Sequence, residues 1–161
     1  MTIHKLQLED FEDDDYSLIA VHSVLPNFRL AYFLNKQLHL QLFKNRTNHI
    51  LYKNQTEVSF THFIFEDEKN HLKWKLIENK KEMQVEKKAN SYNLFEQIKD
   101  ESTRFFLIPE LKKIDYLLKI EGIIDEIQIN QWMQKISQIN NIQSAYLVNQ
   151  NKLKTKNNLI F

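Results

Sequence analysis

A single glycine, Gly122, serves the whole 161-residue chain. A phosphate-cradling P-loop, a dinucleotide fingerprint and a G-x-S-x-G nucleophile elbow each need at least two glycines, so none of them is present. Turns must instead be made by residues such as Asn45, Asn48 and Asn54, whose side chains can bond to their own backbone. Cysteine is absent altogether. That removes thiol nucleophiles, disulfides, iron–sulfur clusters and cysteine-based zinc sites.

The remaining composition is that of an ordinary folded domain, with 42% apolar and 27% charged residues. A single domain of this length buries about two thirds of its unfolded surface and needs no covalent staple. The expectation is one α+β domain over residues 1–161, with flexible ends at 1–15 and 150–161. No run approaches the apolar length of a membrane span, and the opening residues turn acidic where a secretory signal would turn apolar. A cytoplasmic location, with no membrane partner, is the corresponding expectation.

Formal charge nearly cancels, 22 basic against 21 acidic side chains, but it is segregated. Residues 1–24 hold Glu9, Asp10, Glu12, Asp13, Asp14 and Asp15 against Lys5. Residues 25–56 hold Arg29, Lys36, Lys44, Arg46 and Lys53 with no acid, and Lys152, Lys154 and Lys156 follow near the end. A solvated acidic turn and a frayed basic tail explain this pattern, and a dipolar surface that orients a partner would produce the same one.

Periodicity places the elements. Tyr16–His22 reads as a buried strand. Ser23 as cap, Pro26 in the first turn and Phe28, Leu30, Ala31, Phe33 and Leu34 spell an amphipathic helix. Leu38–Phe43 alternates as a half-buried strand, and residues 44–55 read as a loop. Val58–Phe65 and Leu72–Ile77 form a hairpin around Glu66–Asn70. The first of these strands is apolar on both faces, which suits a covered strand or one with a partner outside. Residues 78–90 read as a charged edge strand. Phe105–Ile108 and Ile114–Ile120 read as a second hairpin joined by Glu110–Lys113. A helix follows from Asp125, with Ile129, Trp132, Met133, Ile136 and Ile139 on one stripe, and Ile142–Val148 closes as a strand. Two strand–helix–strand units with antiparallel strands between them predict a mostly antiparallel sheet, a ferredoxin-like or related two-layer sandwich.

Residues 108–116 read Ile-Pro-Glu-Leu-Lys-Lys-Ile-Asp-Tyr. This resembles the signature of the bacterial family named for its IPExxxVDY motif, with Ile114 in the valine position. Val21-His22-Ser23 and Arg29-Leu30-Ala31-Tyr32 continue the likeness, which covers most of the chain. The family has no assigned function. Its association with gene neighbourhoods containing ribonuclease III and pyruvate kinase implies only cytoplasmic housekeeping.

The binding candidates are Glu110, Asp115, Tyr116, His22 and Arg29. Glu110 and Asp115, five residues apart across a turn, could form a paired-carboxylate site for acid–base chemistry or a hard cation. The favoured reading is structural, with Glu110 stabilising the turn, Asp115 paired or hydrogen-bonded and Tyr116 in the core. His22 sits at a strand-to-helix junction, where α/β ligands often bind, beside a Ser23 better explained as a cap. His62 and His71 could face each other across the hairpin, but no third metal ligand is evident, so no metal or cofactor is expected. Phe60, Phe63, Phe65 and Trp74 beside Lys73 and Lys75 could stack nucleic-acid bases. The isoelectric point near 7.9 lies below a basic footprint, so nucleic acid is disfavoured.

The leading expectation is a non-enzymatic module that binds another cytoplasmic protein or a second copy of itself. A small-molecule-binding regulatory domain of ferredoxin-like sensor type is the alternative, followed by an RNA-associated protein. An enzyme ranks behind these readings, with Glu110, Asp115 and His22 as its only candidates.

Overall fold

The computed structural model describes residues 15–84 and 102–161. The acidic run from Glu9 to Asp14 and the far part of the expected 78–90 strand lie outside the described residues. The elements in chain order are β1 (Tyr16–Ser23), α1 (Asn27–Leu38), β2 (Phe43–Lys44), β3 (His49–Lys53), β4 (Thr56–Phe60), β5 (His62–Asp67), β6 (Leu72–Glu78), β7 (Lys80–Gln84), β8 (Ser102–Phe106), β9 (Tyr116–Glu121), α2 (Glu126–Ser137) and β10 (Ile142–Leu147). Six strands form an antiparallel sheet in the order β10-β1-β9-β6-β5-β2, while β3–β4 and β7–β8 are separate two-stranded hairpins.

Alternation along β1 sorts the core into two. Ile19 and Val21 face the helices, where they meet Leu30, Leu34, Trp74, Leu118 and Ile136. Leu18 and Ala20 face the other way, toward Val58, Phe60, Ile77, Leu107, Ile108 and Leu117. Side chains of successive strand residues point to opposite faces, so a strand buried on both sides must be apolar at every position. Leu18–Val21 meets that demand and is fully buried. The second face is covered by the two hairpins and by residues 153–161, so the sheet carries a layer on each side, beyond the two-layer arrangement expected.

The closing segment is packed where fraying is expected. Leu153 and Leu159 are buried in the second core, and the Phe161 ring lies tilted against His49 and edge-on to His62. Burial of these apolar side chains outweighs the tail's three lysines, which remain exposed.

α1 begins at a Pro26 cap instead of Ser23. Ser23 ends β1, and its hydroxyl donates to the Asn141 carbonyl at 2.8 Å and accepts the Leu25 N–H at 3.2 Å. Of the expected Leu38–Phe43 strand only Phe43, the first residue of β2, pairs in the sheet. The helix stops at His39 in the left-handed region, and the Asn35 side chain holds both the N–H (2.8 Å) and the C=O (3.0 Å) of Leu42. Leu38, Leu40 and Leu42 are buried and His39 and Gln41 exposed, so the alternation is real. An extended segment shows the same period as a strand without having a ladder partner.

The expected 44–55 loop contains β3 and leads into β4, joined at Asn54–Gln55 with both φ values positive, 49° and 63°. That is the geometry of a two-residue hairpin turn whose usual second residue is glycine, and Gln55 in that place hides the signal. The two-faced Val58–Phe65 strand is two strands broken at Thr61, and its apolar residues go to both cores instead of an outside partner. The β5–β6 hairpin forms as expected. It opposes His62 to Ile77 and leaves His71 in the turn, so the two histidines do not meet. Phe60, Phe63 and Trp74 are buried and offer no stacking platform.

The 105–108 and 114–120 segments do not pair. β8 joins β7, whereas β9 lies between β1 and β6, because Pro109 and a single 3₁₀ turn redirect the chain. α2 and β10 match expectation, with the Asp125 carboxylate accepting the Gln128 N–H at 2.7 Å. Gly122 has φ +129°, and a Cβ there would lie 2.7 Å from Leu72 Cδ2 and 2.8 Å from the His71 carbonyl. The one glycine stands where backbone approach admits no side chain.

Candidate functional site

The 108–116 segment is held by a residue outside it. Asn79, between β6 and β7, is fully buried. Its Oδ1 accepts the Ile108 N–H at 2.8 Å, and its Nδ2 donates to the Leu111 and Ile114 carbonyls at 2.9 and 3.0 Å. Its own N–H donates to the Asp115 carbonyl and its C=O accepts the Leu107 N–H, both at 2.8 Å. A turn without glycine thereby has its buried polar backbone satisfied.

Asp115 is positioned by this knot and by its N–H donating to the Val21 carbonyl at 3.1 Å. Its carboxylate collects three donors. His22 Nδ1 lies 2.6 Å and the Ser23 N–H 2.8 Å from Oδ2, and Lys80 Nζ lies 2.9 Å from Oδ1. Burial pushes the carboxyl upward, but the bonds from Lys80, His22 and Ser23 outweigh it and hold the group below the ordinary carboxylate value.

The nominated residues divide accordingly. His22 and Asp115 come together. Tyr116 is buried beside them and donates its hydroxyl to the Leu25 carbonyl at 2.5 Å; burial, then Glu78 and Asp115, push its pKa up to about 12. Glu110 is not paired with Asp115; it is exposed and accepts the Thr155 hydroxyl at 2.7 Å. Arg29 is exposed on α1 and makes no hydrogen bond or ion pair with these residues. Lys80 and Asn79 also belong to the site, and nothing in a run of lysine and glutamate marks these two residues as the ones that fold inward.

His22, Lys80, Lys112, Lys113, Ser144 and Tyr146, with Ile114, line a cavity of about 440 Å³. An adjoining depression shares Lys112, Lys113 and Tyr146 and extends to Pro109 and Glu110. Among the described residues no three His, Asp or Glu side chains gather as metal ligands. No described helix is long and apolar enough to cross a membrane.

β10 forms one rim of the cavity and one edge of the sheet. Val148 N–H donates to the Leu18 carbonyl on β1 at 2.8 Å. In an antiparallel ladder the bonding direction alternates, so Ser144 and Tyr146 also face β1, while Gln143, Ala145 and Leu147 turn their N–H and C=O groups outward. Neither terminal strand of the sheet has a further neighbour among the described residues, but β2 at the other edge is only two residues long.

No family model, curated protein or solved structure matches this chain.

Proposed function

We propose that this chain is a non-enzymatic interaction module of the IPExxxVDY type, built on a ferredoxin-like sheet with insertions, that pairs with a second copy of itself along β10. The ferredoxin-like reading is supported by the strand order β10-β1-β9-β6. β9–α2–β10 skips across β1, β1 and α1 lead to β6 across β9, and both helices pack on one face. On this reading β2–β5 and β7–β8 are insertions.

The observation that carries the pairing is the chemistry of the edge. Ile142–Leu147 contains no charged residue and no proline, the usual devices that protect an exposed strand. Tyr146 and Leu147 are 43% and 50% exposed. A two-fold axis at Ala145 would set β10 antiparallel to its copy, satisfying the outward groups of Gln143, Ala145 and Leu147 without opposing like charges. Sedimentation equilibrium tests this. Wild-type protein should dimerise in the micromolar range, whereas Ala145→Pro, which removes an outward N–H and no bond to β1, and Leu147→Lys should be monomeric. A wild-type monomer, or dimers unaffected by both changes, would refute the pairing.

A second reading, binding of a different protein, is favoured by Phe28 and Tyr32, one turn apart on α1 and 63% and 60% exposed, with Val24 just before them at 73%. A pull-down in which Phe28→Ser/Tyr32→Ser loses one stoichiometric partner of the wild type would support it; background proteins alone would reject it.

A further inference from the structure

We infer that the cavity between His22, Lys80, Lys112, Lys113 and Tyr146 binds a small phosphate monoester that carries a flat ring. Charge is the first argument. Lys80, Lys112 and Lys113 line the cavity, and the neighbouring carboxylate, Asp115, is paired with Lys80, so lysines outnumber carboxylates around it. Lys112 and Lys113 have no ion-pair partner among the described residues. The one acid of the adjoining depression, Glu110, is engaged by Thr155.

Preorganisation is the second argument. Both oxygens of Asp115 are occupied, Oδ2 by His22 and the Ser23 N–H and Oδ1 by Lys80. The carboxylate therefore fixes the His22 and Lys80 side chains at the cavity wall, with three donors already on its two oxygens. Donors held before the ligand arrives lose less entropy when it binds, and charge-assisted bonds to phosphate oxygens are the strong ones. The lysines on the 109–113 turn are carried by a backbone that Asn79 pins from beneath.

Size and shape are the third. About 440 Å³ lies in the lower part of the range for small-molecule sites. Tyr146 supplies an aromatic wall, Ser144 a hydroxyl and Ile114 an apolar side chain. Three ammonium groups suit the dianionic phosphate end, and Tyr146 suits a ring at the other. This site lies on the face of the sheet away from the helices, because His22 follows Leu18 and Ala20 in the alternation of β1. It is separable from the β10 pairing, whose outward groups belong to Gln143, Ala145 and Leu147.

Calorimetric titration with phenyl phosphate and with inorganic phosphate, at matched ionic strength, tests the inference. Phenyl phosphate should bind saturably and more tightly than inorganic phosphate. Lys112→Ala/Lys113→Ala, two exposed positions, should weaken it by about tenfold or more while leaving the melting temperature unchanged. Tyr146→Ala should abolish the preference for the phenyl ester, and Leu147→Lys should bind like wild type whether or not the protein dimerises. Absence of saturable binding by the wild type, or equal affinity in the double lysine variant, would overturn the site.

Discussion

Asn79 accepts the N–H of Ile108, 29 residues further along the chain, at 2.8 Å, and so joins the end of β6 to the start of the 108–116 turn. Its amide satisfies three backbone groups of a segment with no glycine of its own. Asn79→Ala should therefore leave a buried N–H and two carbonyls without that partner, destabilising the fold by about 3–5 kcal/mol. Urea melts would show the midpoint falling with an unchanged slope.

Asp115 and Glu110 should behave as opposites. Asp115→Asn weakens the bonds from His22 and Lys80 and should cost about 2–3 kcal/mol. Glu110→Gln, exposed and still able to accept from Thr155, should cost less than about 1 kcal/mol. The Asp115 carboxyl is held below its ordinary value in the fold, so the unfolded chain binds more protons as pH falls. Its stabilisation is present above about pH 4 and is lost as pH drops through the lowered folded value. Melts from pH 5 toward pH 3 should steepen for wild type relative to Asp115→Asn.

Tyr116 separates hydrogen bonding from packing. Tyr116→Phe removes the bond to the Leu25 carbonyl and should cost about 1–2 kcal/mol, whereas Tyr116→Ala should cost about 3–5 kcal/mol. The hydroxyl's pKa is about 12 in the fold, so the unfolded chain ionises first as pH rises. Stability from this group should decline between about pH 10 and 12, and Tyr116→Phe should flatten that limb.

Gly122→Ala should be disproportionately harmful for so small a change. It combines a φ of +129° with Cβ contacts under 3 Å to Leu72 and to the His71 backbone. A loss of about 2–4 kcal/mol, read by thermal denaturation, is the expected outcome.

His49 and His62 should make the 153–161 segment acid-sensitive. His62 is held neutral by burial, then by His49 and Lys75; His49 is lowered by burial despite its bond to the Asn158 carbonyl. Both folded values lie below the unfolded one, so stability is complete above about pH 6.5 and falls as pH drops toward the lowered values. The protection factor of the Leu159 amide, which corrects for the intrinsic exchange rate at each pH, should fall between about pH 7 and 5.5, and His62→Gln should reduce that dependence.

Much of the fold is written in local pattern. The β1 run, the α2 stripe with its Asp125 cap, the β5–β6 hairpin and β10 all follow from side-chain periodicity, which acts between neighbours in sequence. The β3–β4 hairpin was illegible because Gln55 takes a turn position that glycine usually marks. The candidate site was half legible. His22, Asp115 and Tyr116 stood out as residues, but the structural role of the motif depends on Asn79, and the cavity depends on Lys80, Lys112 and Lys113 converging with β10.

By itself the sequence determined the class of the protein and what it excludes. One glycine and no cysteine rule out whole families of phosphate, thiol and metal sites, and alternating apolar residues demand an antiparallel sheet with amphipathic helices. Only the tertiary structure decided that β8 and β9 part company after Pro109, that Asp115 meets His22 across 93 residues, and that the basic tail packs onto the second core. Periodicity specifies which face of an element seeks burial, since hydrophobic burial is non-directional. It does not specify which distant element provides that burial or which buried amide completes a turn; those are settled by pairing and packing between segments far apart in the chain.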